Sequence, residues 1–240
     1  MKKRIWELDA LRGLCIIGMV IVHCIYDMVE LYRLVDWHYP AWFTFLKDWG
    51  GILFLLISGI SITLGSRHLR RGLMVFACGL VCTAVTFGMV QLGFAGKGMM
   101  IWFGVLHCLG MCMLLWLLLG KLPTPVIAVF AAVFIALGYY LDACVRVDFP
   151  WLIPLGVLQP GFVSSDYFPL LPNLGFFLMG TVLGRTLYRK KESLLPKTSS
   201  ENPAVRILTL CGRHSLWIYL AHQPVLSGIF TVISLFGRSV

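Results

Sequence analysis

A series of apolar runs, each close to the length of a membrane span, recurs along the 240 residues of this chain. A helix needs about 20 mainly apolar residues to cross a bilayer core, whereas soluble domains interrupt their apolar stretches sooner. The charged share of 13% also lies well below the roughly 25% of soluble domains. We therefore predict an all-α, polytopic membrane helical bundle of about seven transmembrane helices. The predicted spans cover residues 10–31, 42–64, 72–94, 99–120, 126–141, 168–187 and 216–236.

The segment between the fifth and sixth predicted spans leaves the span count open. It surrounds the apolar residues 151–158 with Pro150, Pro154 and Pro160. Proline breaks a helix interior, and this apolar stretch is too short to cross a bilayer as a helix. We expect the segment to lie in the membrane interface or to re-enter the membrane, and an eighth span is the alternative.

The distribution of Lys and Arg predicts the orientation, because cytoplasmic loops carry the excess of basic residues. With the N-terminus inside, fifteen of the 20 Lys and Arg residues fall on the cytoplasmic side, while five, including Lys47 and Lys97, fall outside. Short loops between spans thereby account for the net charge of +9, so no nucleic-acid partner is expected. The expected partner is the lipid bilayer.

The loops are too short to hold a soluble domain, so we expect one integral-membrane domain over residues 1–240. The first apolar run lacks the small-residue cleavage site of a signal peptide, which predicts an uncleaved first span. The eight cysteines lie almost entirely inside spans, where free thiols behave as small apolar residues. No disulfide framework and no metal site are expected.

The first span carries ionisable side chains on one helical face. Arg12 and His23 are 11 positions apart, which at 100° per residue is within about 20° of three full turns. Asp27 follows one turn beyond His23, about 40° away round the helix. Such groups are costly inside a membrane unless they are paired or face a cavity, so they predict a functional site. A buried His beside a carboxylate could act as a general base, or it could only hydrogen-bond across helices.

Other polar residues are further candidates, each with a structural alternative. His107 and His222 lie in the fourth and last spans, where a polar residue often only bonds to a neighbouring helix. His38 lies in the first outer loop beside Trp37, a setting typical of the membrane interface. Asp166 precedes the sixth span, and its alternative role is that of an N-cap for that helix.

Five sequence blocks, dispersed over most of the chain, form a recognisable set. The first holds Arg4, Glu7, Asp9 and Arg12 and is closed by His23 at an R-x10-H spacing; the others cover residues 53–59, 105–110, 166–172 and 212–224. Together they resemble the heparan-α-glucosaminide N-acetyltransferase-like family, in its bacterial branch, within the transmembrane acyl-transferase superfamily.

The resemblance implies an acetyl-CoA-dependent N- or O-acyltransferase in a bacterial cytoplasmic membrane, acting on a sugar or glycan-type acceptor. It implies His23 as the catalytic base, with Asp27 beside it and His38 as the second choice. Basic cytoplasmic residues could receive the CoA phosphates, Arg12 first. The cofactor-binding candidates are Arg4, Asp9, Arg12, Arg70 and Arg71, and the candidate polar residues on the substrate side are Asp166, Tyr167, His107 and His222.

The sequence leaves other functions open. Arg12, His23 and Asp27 could form the proton pathway of a small transporter, although the sequence shows no matched pair of interrupted spans. The same residues could also only pack, in a non-catalytic membrane assembly protein. The chain is short beside its larger relatives, which makes a homo-oligomer an option. Direct transfer and an acetyl-His intermediate are both open for the enzyme.

Overall fold

The computed structural model of this protein describes residues 5–195 and 202–237. Within these ranges the regular elements are helical, with two isolated β-bridges and no strand. The all-α prediction is therefore confirmed. The α-helices are α1 (Trp6–Tyr26), α2 (Ala41–Leu64), α3 (His68–Gln91), α4 (Val105–Leu119), α5 (Thr124–Cys144), α6 (Leu170–Leu187), α7 (Pro203–Arg213) and α8 (Ser215–Gly237). A π turn, Asp27–Leu31, continues α1, and 3₁₀ turns occupy Lys97–Met99 and Pro150–Leu155.

Six of the described helices are long and apolar enough to cross a membrane. They are α1 with its π turn, α2, α3, α5, α6 and α8, and they coincide with six of the seven predicted spans. The remaining predicted span, residues 99–120, contains α4, which has only 15 residues and rises about 22 Å. The prediction of a multi-pass membrane protein is confirmed, whereas the count of seven stays a prediction.

The proline-rich segment before α6 forms a short 3₁₀ turn of six residues. At about 2 Å per residue, such a turn is far too short to cross a bilayer. The backbone amide of Val147 donates to the carbonyl oxygen of Leu158 at 3.2 Å, so the segment folds back on itself. The structure gives no support to an eighth span at this position.

Two compact units make up the chain. One combines Met1–Phe54 with Lys190–Val240, and the other is Leu55–Arg189. The first unit holds α1, the first part of α2, α7 and α8. In the second unit α3 packs on α4 and α5 packs on α6, around fully buried side chains that include Phe177 and Leu178. The prediction of a single domain stays a prediction.

In the first unit, α1 packs directly on α7. A Cβ atom on Gly13 would lie 1.9 Å from the carbonyl oxygen of Leu208, and one on Gly212 would lie 1.8 Å from that of Asp9. Glycine at both positions lets the two backbones meet, as in small-residue contacts between membrane helices. Helix α7 lies between the sixth and seventh predicted spans and was not predicted.

Candidate functional site

The ionisable face of α1 meets α8. His23 on α1 and His222 on α8 are in edge-to-face contact, with ring centroids 4.9 Å apart and an interplanar angle of 71°. The Nδ1 atom of His222 lies within hydrogen-bonding distance of the Tyr219 carbonyl oxygen. Because a carbonyl oxygen only accepts, we assign the proton of neutral His222 to Nδ1, which leaves a lone pair on Nε2. This Nε2 atom is buried and has no hydrogen-bond partner among the described residues.

Asp27, one turn beyond His23, is 1% exposed. The side-chain amide of Gln223 donates to both of its carboxylate oxygens, at 3.2 Å to Oδ1 and 2.9 Å to Oδ2. A buried carboxylate is costly unless such donors replace water. Asp27 also opens the π turn, an irregularity that is frequent at functional sites. The amide of Gln223 therefore holds α8 against the end of α1.

A third contact follows at the end of the π turn. The Tyr32 hydroxyl donates to the carbonyl oxygen of Ser227 at 3.0 Å. All three contacts advance in the same order along both helices, so α1 and α8 run parallel to each other. The pairs are His23 with His222, Asp27 with Gln223, and Tyr32 with Ser227.

Near the start of α1, the carboxylate of Asp9 lies between two guanidinium groups. Arg12 contacts Asp9 Oδ1 at 2.9 Å, and Arg213 contacts Oδ2 at 3.5 Å. Arg12 also donates to the carbonyl oxygen of Gly212 at 3.5 Å. The Arg12 side chain is 17% exposed, whereas that of Arg213 is 44% exposed. One carboxylate thus contacts two guanidinium groups, of which that of Arg213 is the more exposed.

Glu7 ties the segment after α6 to the same end of α1. Its carboxylate accepts hydrogen bonds from the Ser193 hydroxyl and the Leu194 backbone amide, both at 2.7 Å. Both donors therefore pair with a single buried carboxylate. This contact fixes the chain next to the cluster formed by Asp9, Arg12 and Arg213.

Both ring nitrogens of His107, in the second unit, have hydrogen-bond partners. Its Nδ1 atom accepts from the backbone amide of Gly104 at 3.2 Å. The Thr83 hydroxyl donates to the carbonyl oxygen of Ile101 at 2.8 Å and therefore accepts from His107 Nε2, 3.3 Å away. Both ring nitrogens are thus in use. This arrangement favours a structural role for His107 over a role as a base.

Asp166 and Tyr167 also make structural contacts in the second unit. Oδ2 of Asp166 accepts from the backbone amide of Val105 at 3.1 Å, so Asp166 caps α4 and not the helix that follows it in sequence. The Tyr167 hydroxyl donates to the carbonyl oxygen of Ile153 at 2.8 Å. Burial, with a smaller contribution from the Asp142 carboxylate, raises the pKa of Tyr167 above its usual value.

None of the pairs described above includes His38, Arg70 or Arg71. His38 is exposed in a segment without regular structure. Arg70 and Arg71 are exposed in the first turn of α3, in the second unit. Arg4 lies outside the described residues. Across residues 5–195 and 202–237, no group of three or more His, Cys, Asp or Glu side chains could hold a metal ion.

A comparison with protein families gives a match that runs through nearly the whole chain. The family model described as heparan-alpha-glucosaminide N-acetyltransferase, catalytic, matches residues 4–224. The chain belongs to this family. No curated protein and no solved structure matches the chain.

Membership of the heparan-α-glucosaminide N-acetyltransferase family confirms the resemblance at family level. The match begins at Arg4 and ends at Pro224, the first and last residues of the blocks that carried the resemblance. It includes His23, Asp27 and His222 together with Asp9 and Arg12. The chain is therefore a member of a family of membrane acetyltransferases.

Three residues that contact the polar side chains of α1 were not among the site residues predicted from the sequence. Gln223 holds Asp27, Arg213 pairs with Asp9, and Glu7 binds the segment after α6. A signal for Gln223 was present, because a polar amide inside a membrane span needs a partner. No pattern in the sequence indicated that Arg213 would reach Asp9, since that contact depends on the unpredicted helix α7.

Proposed function

We propose that this protein transfers an acetyl group from acetyl-CoA to an amine or hydroxyl group of a sugar or glycan-type acceptor. The contact of His23 with His222 carries the proposal, because it places the buried Nε2 atom of His222, which has a lone pair, beside the ring of His23. Family membership supplies the reaction class. Histidine is the most common general base in enzymes.

On the donor side, we place the CoA phosphates at the cluster of Asp9, Arg12 and Arg213. Guanidinium groups bind phosphate through paired, charge-assisted hydrogen bonds. Arg213 supports this placement because its side chain is 44% exposed, while the Asp9 carboxylate orients Arg12. The start of α1 lies on the side that the distribution of Lys and Arg assigns to the cytoplasm, where acetyl-CoA is present. Arg4, Arg70 and Arg71 stay candidates for further phosphate contacts.

The reaction requires one proton to move from the acceptor to the leaving thiolate. The acceptor nitrogen or oxygen attacks the thioester carbonyl, a C–N or C–O bond forms, and the C–S bond breaks. A histidine takes the proton of the acceptor and delivers it to the CoA sulfur. Along α1, Arg12 and His23 are separated by about 16 Å. The pantetheine arm, which joins the CoA phosphates to the thioester, would run along the helix from the phosphate cluster to the histidines.

Within this pair, His23 acts as the base in our proposal, and His222 receives or relays the proton. His38 is the second choice for the base. An acetyl-histidine intermediate is the alternative to direct transfer, since the lone pair of an imidazole can also attack a thioester. The two routes differ kinetically, because a covalent intermediate releases CoA before the acceptor binds.

The test uses full-length protein purified in detergent, radiolabelled acetyl-CoA and a panel of amino sugars and glycans. We expect the unaltered protein to bind acetyl-CoA and to release CoA when an acceptor is present. His23→Ala should abolish turnover and retain acetyl-CoA binding, while His38→Ala should retain both and thereby tests the second choice for the base. Absence of both acetyl-CoA binding and CoA release would overturn the proposal. Normal turnover of His23→Ala with loss in His38→Ala would move the base to His38.

The proposal includes a setting in the bacterial cytoplasmic membrane, with the acceptor on the far side from acetyl-CoA. The excess of Lys and Arg on the predicted cytoplasmic side supports this direction of transfer. Homo-oligomerisation stays a prediction.

A further inference from the structure

A half-open cavity of about 600 Å³ lies in the second unit, at the C-terminal end of α3. Its lining is mainly apolar and includes the aromatic side chains Phe87, Trp102 and Phe162. Cavities of roughly 300 to 1,000 Å³ are typical of sites for small ligands. We call this cavity the Lys97 pocket.

Charge in this pocket comes from one side chain. Lys97 is the only charged residue among the described residues that line it, and Gln91 and Gln159 also belong to the lining. Lys97 is exposed, and the long apolar stem of lysine allows its ammonium group to reach the headgroup level. The lining therefore suits a ligand with a large apolar body and one anionic group.

A smaller cavity borders the Lys97 pocket. A second cavity of about 210 Å³ shares Trp102, Pro150 and Ile153 with it and adds Trp151. Trp151 is 82% exposed and Trp102 is 47% exposed. Tryptophan is enriched where lipid headgroups meet acyl chains. The two cavities are therefore neighbours, and their exposed tryptophans suit the headgroup region of a membrane.

We propose that the Lys97 pocket binds an anionic phospholipid from the membrane leaflet that borders the C-terminal end of α3. The lipid phosphate pairs with the ammonium group of Lys97, and the amides of Gln91 and Gln159 bond to the polar headgroup. An acyl chain packs against Phe87, Trp102 and Phe162. A free anion gains nothing from this apolar lining, so the apolar body of a lipid is required for binding.

This inference goes beyond the acetyl transfer and does not depend on it. All of its residues lie in the second unit, whereas the proposed catalytic residues lie in the first. It can therefore be tested without acetyl-CoA, and its failure is distinct from a failure of the proposed enzyme activity.

The test measures quenching of tryptophan fluorescence by lipids with brominated acyl chains, in full-length protein purified in detergent. We expect brominated phosphatidylglycerol to quench at lower concentration than brominated phosphatidylcholine. Trp102→Phe should remove most of this difference, which assigns it to the pocket. Lys97→Gln should weaken the apparent affinity for phosphatidylglycerol about fivefold, the equivalent of about 1 kcal/mol for one basic residue at an anionic surface.

Lys47→Gln is the matched control, because Lys47 is also exposed and lies outside the pocket. Equal quenching by the two lipids, or equal effects of Lys97→Gln and Lys47→Gln, would overturn the inference. Inorganic phosphate should not compete at millimolar concentration, and full competition would show a free-anion site in place of a lipid site. Retained lipid binding in Trp102→Phe, measured by native mass spectrometry, together with the loss of the quenching difference, would support a lipid bound beside Trp102.

Discussion

The side-chain amide of Gln223 spans both oxygens of the Asp27 carboxylate, at 2.9 and 3.2 Å, and so joins the last helix to the end of the first. Asp27 is 1% exposed, so water cannot readily replace this donor. Loss of the amide would leave a buried carboxylate without its partner on α8. The pair therefore stabilises the packing of α1 on α8 beside His23 and His222.

We expect Gln223→Leu to lower the free energy of unfolding by about 1 to 3 kcal/mol, the usual cost of an unsatisfied buried polar group. Thermal unfolding in detergent measures this loss. The double variant Asp27→Leu with Gln223→Leu should recover much of it, because both partners are then apolar. Strictly additive losses in the double-mutant cycle would show that the two residues do not act on each other.

His222 gives a second prediction, because its Nε2 atom faces no described partner while its ring touches His23. We expect His222→Ala to lower turnover by about 10²- to 10⁴-fold, the range of general acid–base catalysis. Radiolabelled acetyl transfer measures the rate, and a binding assay shows that acetyl-CoA affinity is retained.

Because the two histidines act as one unit in this proposal, the double variant His23→Ala with His222→Ala should be no slower than either single variant. Multiplied losses in the double variant would mean that each histidine acts independently.

His107→Gln separates catalysis from structure. It should reduce stability by about 1 to 3 kcal/mol, since both of its ring nitrogens are engaged, and leave the turnover of the folded fraction unchanged.

The sequence predicted those features of the architecture that depend only on residues close together in the chain. Apolar runs predicted the spans, and the period of the α-helix placed Arg12, His23 and Asp27 on one face of α1. The structure brings each of these side chains to a partner that is far away in sequence. Those partners on α7 and α8 could not be predicted, because no local pattern specifies which helices meet.

Two elements show why prediction failed in detail. α7 has only 11 residues, so it gives no span signal, and its packing depends on direct backbone contact at Gly13 and Gly212. Asp166 appeared to be a cap for the helix that follows it, yet it accepts from Val105 at the start of α4. A side chain that caps a helix distant in sequence can be found only from the tertiary structure.

Arg213 tests the proposed donor site. Its side chain pairs with Asp9 and is 44% exposed, so a CoA phosphate could reach it without prior unfolding. We expect Arg213→Gln to raise the KM for acetyl-CoA about 10-fold with little change in kcat, because one charge-assisted contact contributes about 1.5 kcal/mol to binding, at the lower end of its usual range.

Arg206→Gln is the control for this variant, since Arg206 is exposed on the same helix. Steady-state kinetics with acetyl-CoA as the varied substrate separates the two parameters. Equal effects of the two substitutions would point to a general attraction by basic residues, and an effect on kcat alone would place Arg213 outside the donor site.

The parallel order of the contacts between α1 and α8 bears on the number of spans. If α1 leaves the cytoplasm, α8 can run in the same direction only after an odd number of crossings between them. Helices α2, α3, α5 and α6 supply four crossings, so α4 must supply the fifth. We therefore expect seven spans, even though α4 has only 15 residues, a length that a locally thinned bilayer can accommodate.

Seven spans place the two ends of the chain on opposite sides of the membrane. We expect alkaline phosphatase fused after residue 240 to be active and green fluorescent protein fused there to be dark, because the first folds only outside the cytoplasm and the second only inside. A fusion after residue 195, between α6 and α7 on the predicted cytoplasmic side, should give the reverse pattern and is the control. Fluorescence at both positions would mean that α4 does not cross the membrane. The parallel packing of α1 and α8, which brings His23 to His222, would then be incompatible with the topology of the chain.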